Sequence, residues 1–329
     1  MKKIIYLVLL TSLFVFANEK PTLTVYTYDS FAASWGPAPK IKKSFEKECD
    51  CTLNFIGVSS SIATLRKIQL EGKKTKADIL LGLDTATAQI AKETDLFSTH
   101  ELDTSNIDLP NGYTDDTFIP FDYSYFAFVY DEEKTKNIPD SFEALASMPK
   151  DFKIVMQDPR SSTPGLGLLL WVKSIYGDKT ADYWKRLAPH ILTITKGWSE
   201  SYSLFLKGEA DMVLSYTTSP AYHMIEENKY NIKAAAFKEG HYAQIEVAAI
   251  VKSSTQKKLA KKFLQFLSTQ KFAQIIPTAN WAYPVIKDVK LHKDFDKLHK
   301  PEEFILMDGK TVQQNRKAII DEWRKAIQK

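Results

Sequence analysis

The sequence predicts an α/β protein of two lobes, each a mixed, mostly parallel sheet flanked by helices, with strands that cross between the lobes as a hinge. Three observations carry this. Strand-like and helix-like apolar patterns alternate in two separate sets, as sheets built from βαβ units require. The length, 329 residues, exceeds what one ordinary core fills. A long strand at 242–251 follows the second set and is placed to return to the first sheet, which makes the second lobe an insertion.

The chain opens with Met1, Lys2 and Lys3 and an apolar run at 4–16 whose only polar members are Thr11 and Ser12. With Ala17 closing the run, this reads as a secretory signal peptide (1–17) cleaved after Ala17. It is too short to span a bilayer, and no cysteine follows the cleavage point to take a lipid. The mature protein is therefore expected to be exported and soluble.

The first set reads as a strand at 23–28, a helix around 40–47, a strand at 52–58, a helix at 62–70, a strand at 78–83 and a helix at 86–94. After the aromatic run 118–130 comes the second set: a strand at 152–156, a helix from Pro164, a helix around 180–187, a strand at 191–195, a helix at 200–207 and a strand at 211–216. Two sheets are expected. One helix is predicted over 256–272, with Leu259, Phe263, Phe266 and Leu267 on its core stripe. Another over 312–329 carries Ile319, Ile320, Trp323 and Ile327 and is expected to pack on the first lobe. This assigns 18–120 and 250–329 to lobe one and 121–249 to lobe two.

Basic and acidic side chains number 44 and 40, a near-balance that argues against a nucleic-acid partner. Cys49 and Cys51 are the only cysteines, and in an oxidising compartment they are a candidate local disulfide. An extended chain would hold their Cα atoms about 6.5 Å apart, at the upper edge of disulfide geometry, so two reduced thiols are the alternative. The six histidines show no ligand-type spacing, and no metal site is expected.

The stretch 157–167 is the most informative. A helix starting there leaves N–H groups free, Ser162 and Thr163 add hydroxyls, Pro164 suits the first turn, and Gly165 removes a side chain from the approach. Together they suit an anion; an ordinary Ser/Thr-capped helix is the alternative. Gly72-Lys73-Lys74-Thr75 lacks the earlier glycine of a phosphate loop, since Lys67 stands there. Asp29, Asp84, Asp122 and Glu246 lie on separate elements that nothing in the sequence brings together, and Ser162 has no nucleophile-elbow glycines. Aromatic residues gather instead at loops and strand ends: Tyr26, Tyr28, Phe31, Trp35, Trp198, Tyr216, Tyr222, Trp281 and Tyr283. Converging on one cleft beside the helix start, they would fit a flat, cationic, phosphate-bearing ligand.

Six runs, 23–33, 118–123, 157–170, 196–200, 214–223 and 280–284, are similar to those of the periplasmic thiamine-binding proteins, soluble receptors of bacterial thiamine ABC importers. The resemblance covers essentially the whole mature chain. It implies a type II periplasmic binding protein fold, no enzymatic activity and no cofactor. The transported ligand would be thiamine, thiamine monophosphate or thiamine diphosphate, and the partners an ABC permease and, through it, a cytoplasmic ATPase; a periplasmic monomer is expected. Carried over by position, Ser162 and Thr163 match phosphate contacts, and Trp198 an aromatic at the ligand. Tyr216, Thr217, Thr218 and Ser219 match a loop that binds through backbone and hydroxyls, and Tyr28, Tyr222 and Trp281 match aromatic walls. Ser60 and Ser61 stand where relatives carry Asp-Gly, so a carboxylate able to offset the thiazolium charge is missing at that position.

The alternatives are another solute on the same scaffold or an enzyme. Ferric iron receptors rely on adjacent tyrosines, and no Tyr-Tyr pair occurs; polyamine receptors need cleft carboxylates. A thiamine-degrading transferase would need a cleft cysteine, whereas Cys49 and Cys51 precede the second strand, away from the cleft.

Overall fold

The computed structural model describes residues 20–302 and 304–328; the signal-peptide assignment lies outside them. β1 (Thr22–Tyr28), rich in β-branched and aromatic residues, runs through one helical turn, α1 (Asp29–Ala32), into α2 (Ala38–Cys49), which buries Ala38, Ile41 and Phe45 at helical spacing. Asp50 ends α2 in the left-handed region, with φ 49° and ψ 44°. That turn draws the Cα atoms of Cys49 and Cys51 to 5.1 Å, and the two are disulfide-bonded. The bond sits on a helix end, which is why the extended-chain spacing overstates the gap.

β2 (Thr52–Val58), α3 (Ser61–Glu71), β3 (Ile79–Asp84) and α4 (Thr85–Lys92) complete the first set, with a short β4 (Phe97–Ser98) beyond. The helix starts are fixed by side chains: Ser60 Oγ accepts from the Ala63 N–H at 3.2 Å, and Asp84 forms a capping box with Thr87. β5 (Ile119–Asp131) then leaves for the second set: α5 (Phe142–Ala146), β6 (Ile154–Gln157), α6 (Thr163–Tyr176), α7 (Thr180–Leu187), β7 (Ile191–Thr195), α8 (Trp198–Leu206), β8 (Met212–Tyr216), α9 (Pro220–Glu226) and β9 (Ile232–Ala234). β10 (His241–Val251) returns, followed by α10 (Lys257–Leu267), α11 (Gln270–Ala273), two-residue strands β11 (Tyr283–Pro284) and β12 (Phe304–Ile305), and α12 (Gly309–Ile327).

Instead of two separate sheets, one hydrogen-bonded path runs β2-β1-β3-β10-β5-β8-β6-β7. β5 is long enough to serve both halves: residues 119–125 pair with β10, and 126–130 pair with β8. β10 in turn pairs antiparallel with β3, while β1 is parallel to β2 and β3, and β6 to β7 and β8. Helices cover both faces of each half. Phe45 and Phe263 pack on one face of the first half, Leu65 and Ile68 on the other. Trp171 and Trp184 cover one face of the second half, Tyr202 and Phe205 the other.

Two helices differ from expectation. The 256–272 segment breaks, because Thr269 accepts from the Phe272 N–H at 3.4 Å and starts α11 as a new helix. α12 is not confined to the first lobe: it lies against α4 there and against α6 and α7 of the second. Val312, Ile319, Ile320 and Trp323 join the apolar cluster that contains Tyr183, Trp184 and Leu187. Replacing Trp323, 2% exposed, with Ala should cost roughly 3–5 kcal/mol in a denaturant melt. A loss under about 1 kcal/mol would mean that α12 is peripheral to the second lobe.

Candidate functional site

A cavity of about 480 Å³ opens where the two halves meet. Three helices of 11, 14 and 9 residues begin at its wall: α3 at Ser61, α6 at Thr163 and α8 at Trp198. Their first N–H groups carry the positive end of the helix dipole, and that wall suits an anion. At α6 the capped-helix alternative fails. Ser162 precedes the helix without a side-chain cap, and the buried Thr163 Oγ1 has no hydrogen-bond partner in the protein. Gly165 has a different role from the expected one: a Cβ there would lie 2.4 Å from the Gln157 carbonyl oxygen, so it admits the end of β6 rather than a ligand. Gly167 likewise makes room for the Phe126 ring, and α6 is thereby seated against β5.

The aromatic walls come from both lobes. Trp198 donates its indole N–H to Ser215 Oγ at 2.8 Å and stacks on Tyr202, with centroids 4.7 Å apart. Trp281 meets Tyr222 edge-on at 5.3 Å. Its own φ is 56°, rare for a bulky residue, and this turn points Asn280 inward while leaving Trp281 on the wall. Trp35, 62% exposed, forms part of the lip.

Every predicted contact lines this cavity except Thr217 and Thr218, which are fully buried behind it. The Thr217 N–H donates to the Tyr125 carbonyl at 2.9 Å, and Thr218 Oγ1 lies 2.8 Å from Ser124 Oγ. They fasten the loop to β5, leaving Tyr216 and Ser219 to face inward. The lobes also touch across the cleft: Ser60 Oγ donates to the Ser161 carbonyl, and Arg66 donates to the Arg160 carbonyl at 3.0 Å.

Asp122 and Glu246, unconnected in the sequence, stand directly opposite each other in the antiparallel register of β5 and β10. Both line the cavity, 1% and 6% exposed. The Asn280 amide donates to Asp122 Oδ2 at 2.6 Å and to Glu246 Oε2 at 3.1 Å, and Tyr28 donates its hydroxyl to Glu246 Oε2 at 2.8 Å. Desolvation pushes Asp122 up to about 7 against the pull of the Asn280 bond, and Glu246 is raised well above its usual range by desolvation and by Asp122. Of the other two acids, Asp84 caps α4, and Asp29 sits at the rim with Ser199 Oγ 3.5 Å away. Only the strand register unites the pair, and periodicity does not encode register. Among the described residues, no cluster of three or more His, Cys, Asp or Glu is placed to hold a metal ion, and no helix is long and apolar enough to cross a membrane.

Residues 27–274 match the family model of bacterial extracellular solute-binding proteins. The chain is 50% identical to the thiamine-binding periplasmic protein of Escherichia coli K12 over 327 residues, 99% of each chain. A solved periplasmic thiamin binding protein superposes with a TM-score of 0.92 at 50% identity, covering 94% of this chain and 97% of that one. The periplasmic binding protein AfuA of Actinobacillus pleuropneumoniae, 20% identical, shares the fold with a TM-score of 0.80 over 94% of this chain and 99% of its own. The architecture is that of the type II periplasmic binding proteins.

The buried pair has a thermodynamic consequence. Asp122 has a folded-state value above its unfolded one, so its contribution to stability is intact below about pH 4 and is lost as pH rises through about 7. Asp122→Asn should therefore gain roughly 1–3 kcal/mol relative to the wild type on going from pH 5 to pH 8 without ligand. Urea melts at the two pH values measure this; the same mutant-minus-wild-type difference at both would show that the carboxyl carries no such cost.

Proposed function

The chain belongs to the bacterial extracellular solute-binding protein family, and we propose that it captures thiamine and its phosphate esters in the inter-lobe cleft and hands them to an ABC permease driven by a cytoplasmic ATPase. It is a binding protein rather than an enzyme, and its place is the periplasm. The observation that carries the ligand assignment is that one cavity combines aromatic walls and buried carboxylates with three helix starts. A thiazolium ring suits the first and a phosphate ester the second.

Calorimetry with thiamine, thiamine monophosphate and spermidine tests the reading, spermidine being included because polyamine receptors also need cleft carboxylates. Saturable binding of the thiamine compounds is expected; no thiamine binding, or binding of spermidine alone, would reject it. Trp198→Ala should weaken thiamine by roughly 1–3 kcal/mol through lost cation–π contact and apolar area. A change under about 0.3 kcal/mol would remove Trp198 from the site.

The helix start is tested separately. Ser162→Ala with Thr163→Val should weaken the phosphate esters far more than thiamine, because each charge-assisted hydrogen bond is worth about 1.5–3 kcal/mol. The α6 backbone N–H groups remain, so the esters should still bind. Equal losses for thiamine and its monophosphate would show that α6 does not read the phosphate.

A further inference from the structure

We propose that the Asp122–Glu246 pair, held by Tyr28 and Asn280, is the subsite that reads the positive charge of the ligand's heteroaromatic ring, and that the ring displaces a proton from the pair on binding. The inference rests on the thiamine reading and adds to it the group that answers the cation.

The argument begins from what the pair lacks. Two carboxyls are buried side by side, yet no Lys, Arg or His is among the described residues that line the cavity. Tyr28 from β1 and Asn280 from the loop before β11 offer only neutral donors. On β3, Asp84 is the register partner of Glu246, but its carboxylate is engaged by Thr87. The guanidinium of Arg316 acts on Asp84 and does not line the cavity. From β8, Tyr216 donates its hydroxyl to Gln244 at 3.0 Å. A structural ion pair would bring its own base; here the counter-charge is missing on the one side that opens to the ligand. The α3 start cannot supply the negative charge, since Ser60 and Ser61 are neutral.

Buried opposite each other, the two carboxyls keep a proton rather than carry two negative charges. A quaternary ring nitrogen accepts no proton. When it arrives, an O–H bond of the pair breaks, the proton leaves to solvent, and the carboxylate left behind faces the cation. Affinity for the cation should then rise with pH toward about 7 and above, by up to about tenfold per unit for one proton released.

Calorimetry of the full protein between pH 6 and 8, in buffers of different ionisation enthalpy, reads the released proton directly. The probes are thiamine and a neutral analogue with a thiophene ring in place of the thiazolium. Thiamine should bind with buffer-dependent heat and the analogue without it. Asp122→Asn and Glu246→Gln should each weaken thiamine by about tenfold or more while leaving the analogue within about twofold. Equal losses for both ligands, or wild-type thiamine binding with no buffer dependence, would overturn the proposal and leave the thiamine reading standing. Wild-type protein that binds no thiamine would overturn both. Should either variant fail to fold, the wild-type proton count decides alone.

Discussion

The antiparallel pairing of β5 with β10 is the constraint on which the molecule depends. Both strands are longer than a typical strand, 13 and 11 residues, and each spends its length on more than one partner. Because β5 hands its hydrogen bonds from β10 to β8 near Tyr125, the two sheet halves are joined by continuous backbone and not by a flexible linker. The lobes are therefore held in register by the two strands that cross between them, the arrangement of a hinged clamp. The same pairing sets Asp122 against Glu246, so the hinge and the bottom of the site are one object.

That arrangement costs stability. Burying two carboxyls without a base is unfavourable, and Asn280 and Tyr28 offset only part of the cost with neutral hydrogen bonds. Thr163 Oγ1 shows the same pattern, a buried hydroxyl left without a partner beside the first N–H groups of α6. The two groups are incomplete in different senses, the carboxyls lacking a base and the hydroxyl a hydrogen-bond partner. A ligand carrying both charges satisfies both, whereas a purely apolar ligand of the same shape would leave each unfavourable burial in place.

Much of this was legible in the sequence where local chemistry decides the outcome. β2, α7 and β7 have the predicted bounds, and Ser162, Thr163, Trp198 and Trp281 were marked by helix-start chemistry, aromatic placement and family resemblance. What failed needed information from elsewhere in the chain. An apolar stripe continues through 256–272, and only the Thr269 side chain's preference for the Phe272 N–H breaks it. Gly165 reads as an opening for a ligand until the position of Gln157 is known. Thr217 and Thr218 look like ligand hydroxyls by position, but both are buried behind the cavity, Thr218 with its hydroxyl on Ser124 of β5 and Thr217 tied to β5 through its backbone N–H. Asp122 and Glu246, 124 positions apart, become neighbours only through strand register, which a hydrophobic pattern with one face buried cannot fix when both faces are covered.

The last helix adds a limit on how the clamp can move. α12 lies against α4 of the first lobe and α6 and α7 of the second, with Trp323 and Ile319 sunk in the second lobe's core. Any opening about β5 and β10 would then carry α12 with one lobe and slide it along the other. The apolar cluster favours the second lobe as the carrier, since its packing would be costly to disrupt, while the α4 contact is bordered by exposed polar groups such as Gln313 with Glu93. Such a rotation would be guided on one side by paired strands and on the other by a helix seated in one lobe. A motion guided in this way would return Ser60 to the Ser161 carbonyl, and the aromatic walls around the same volume, on closure.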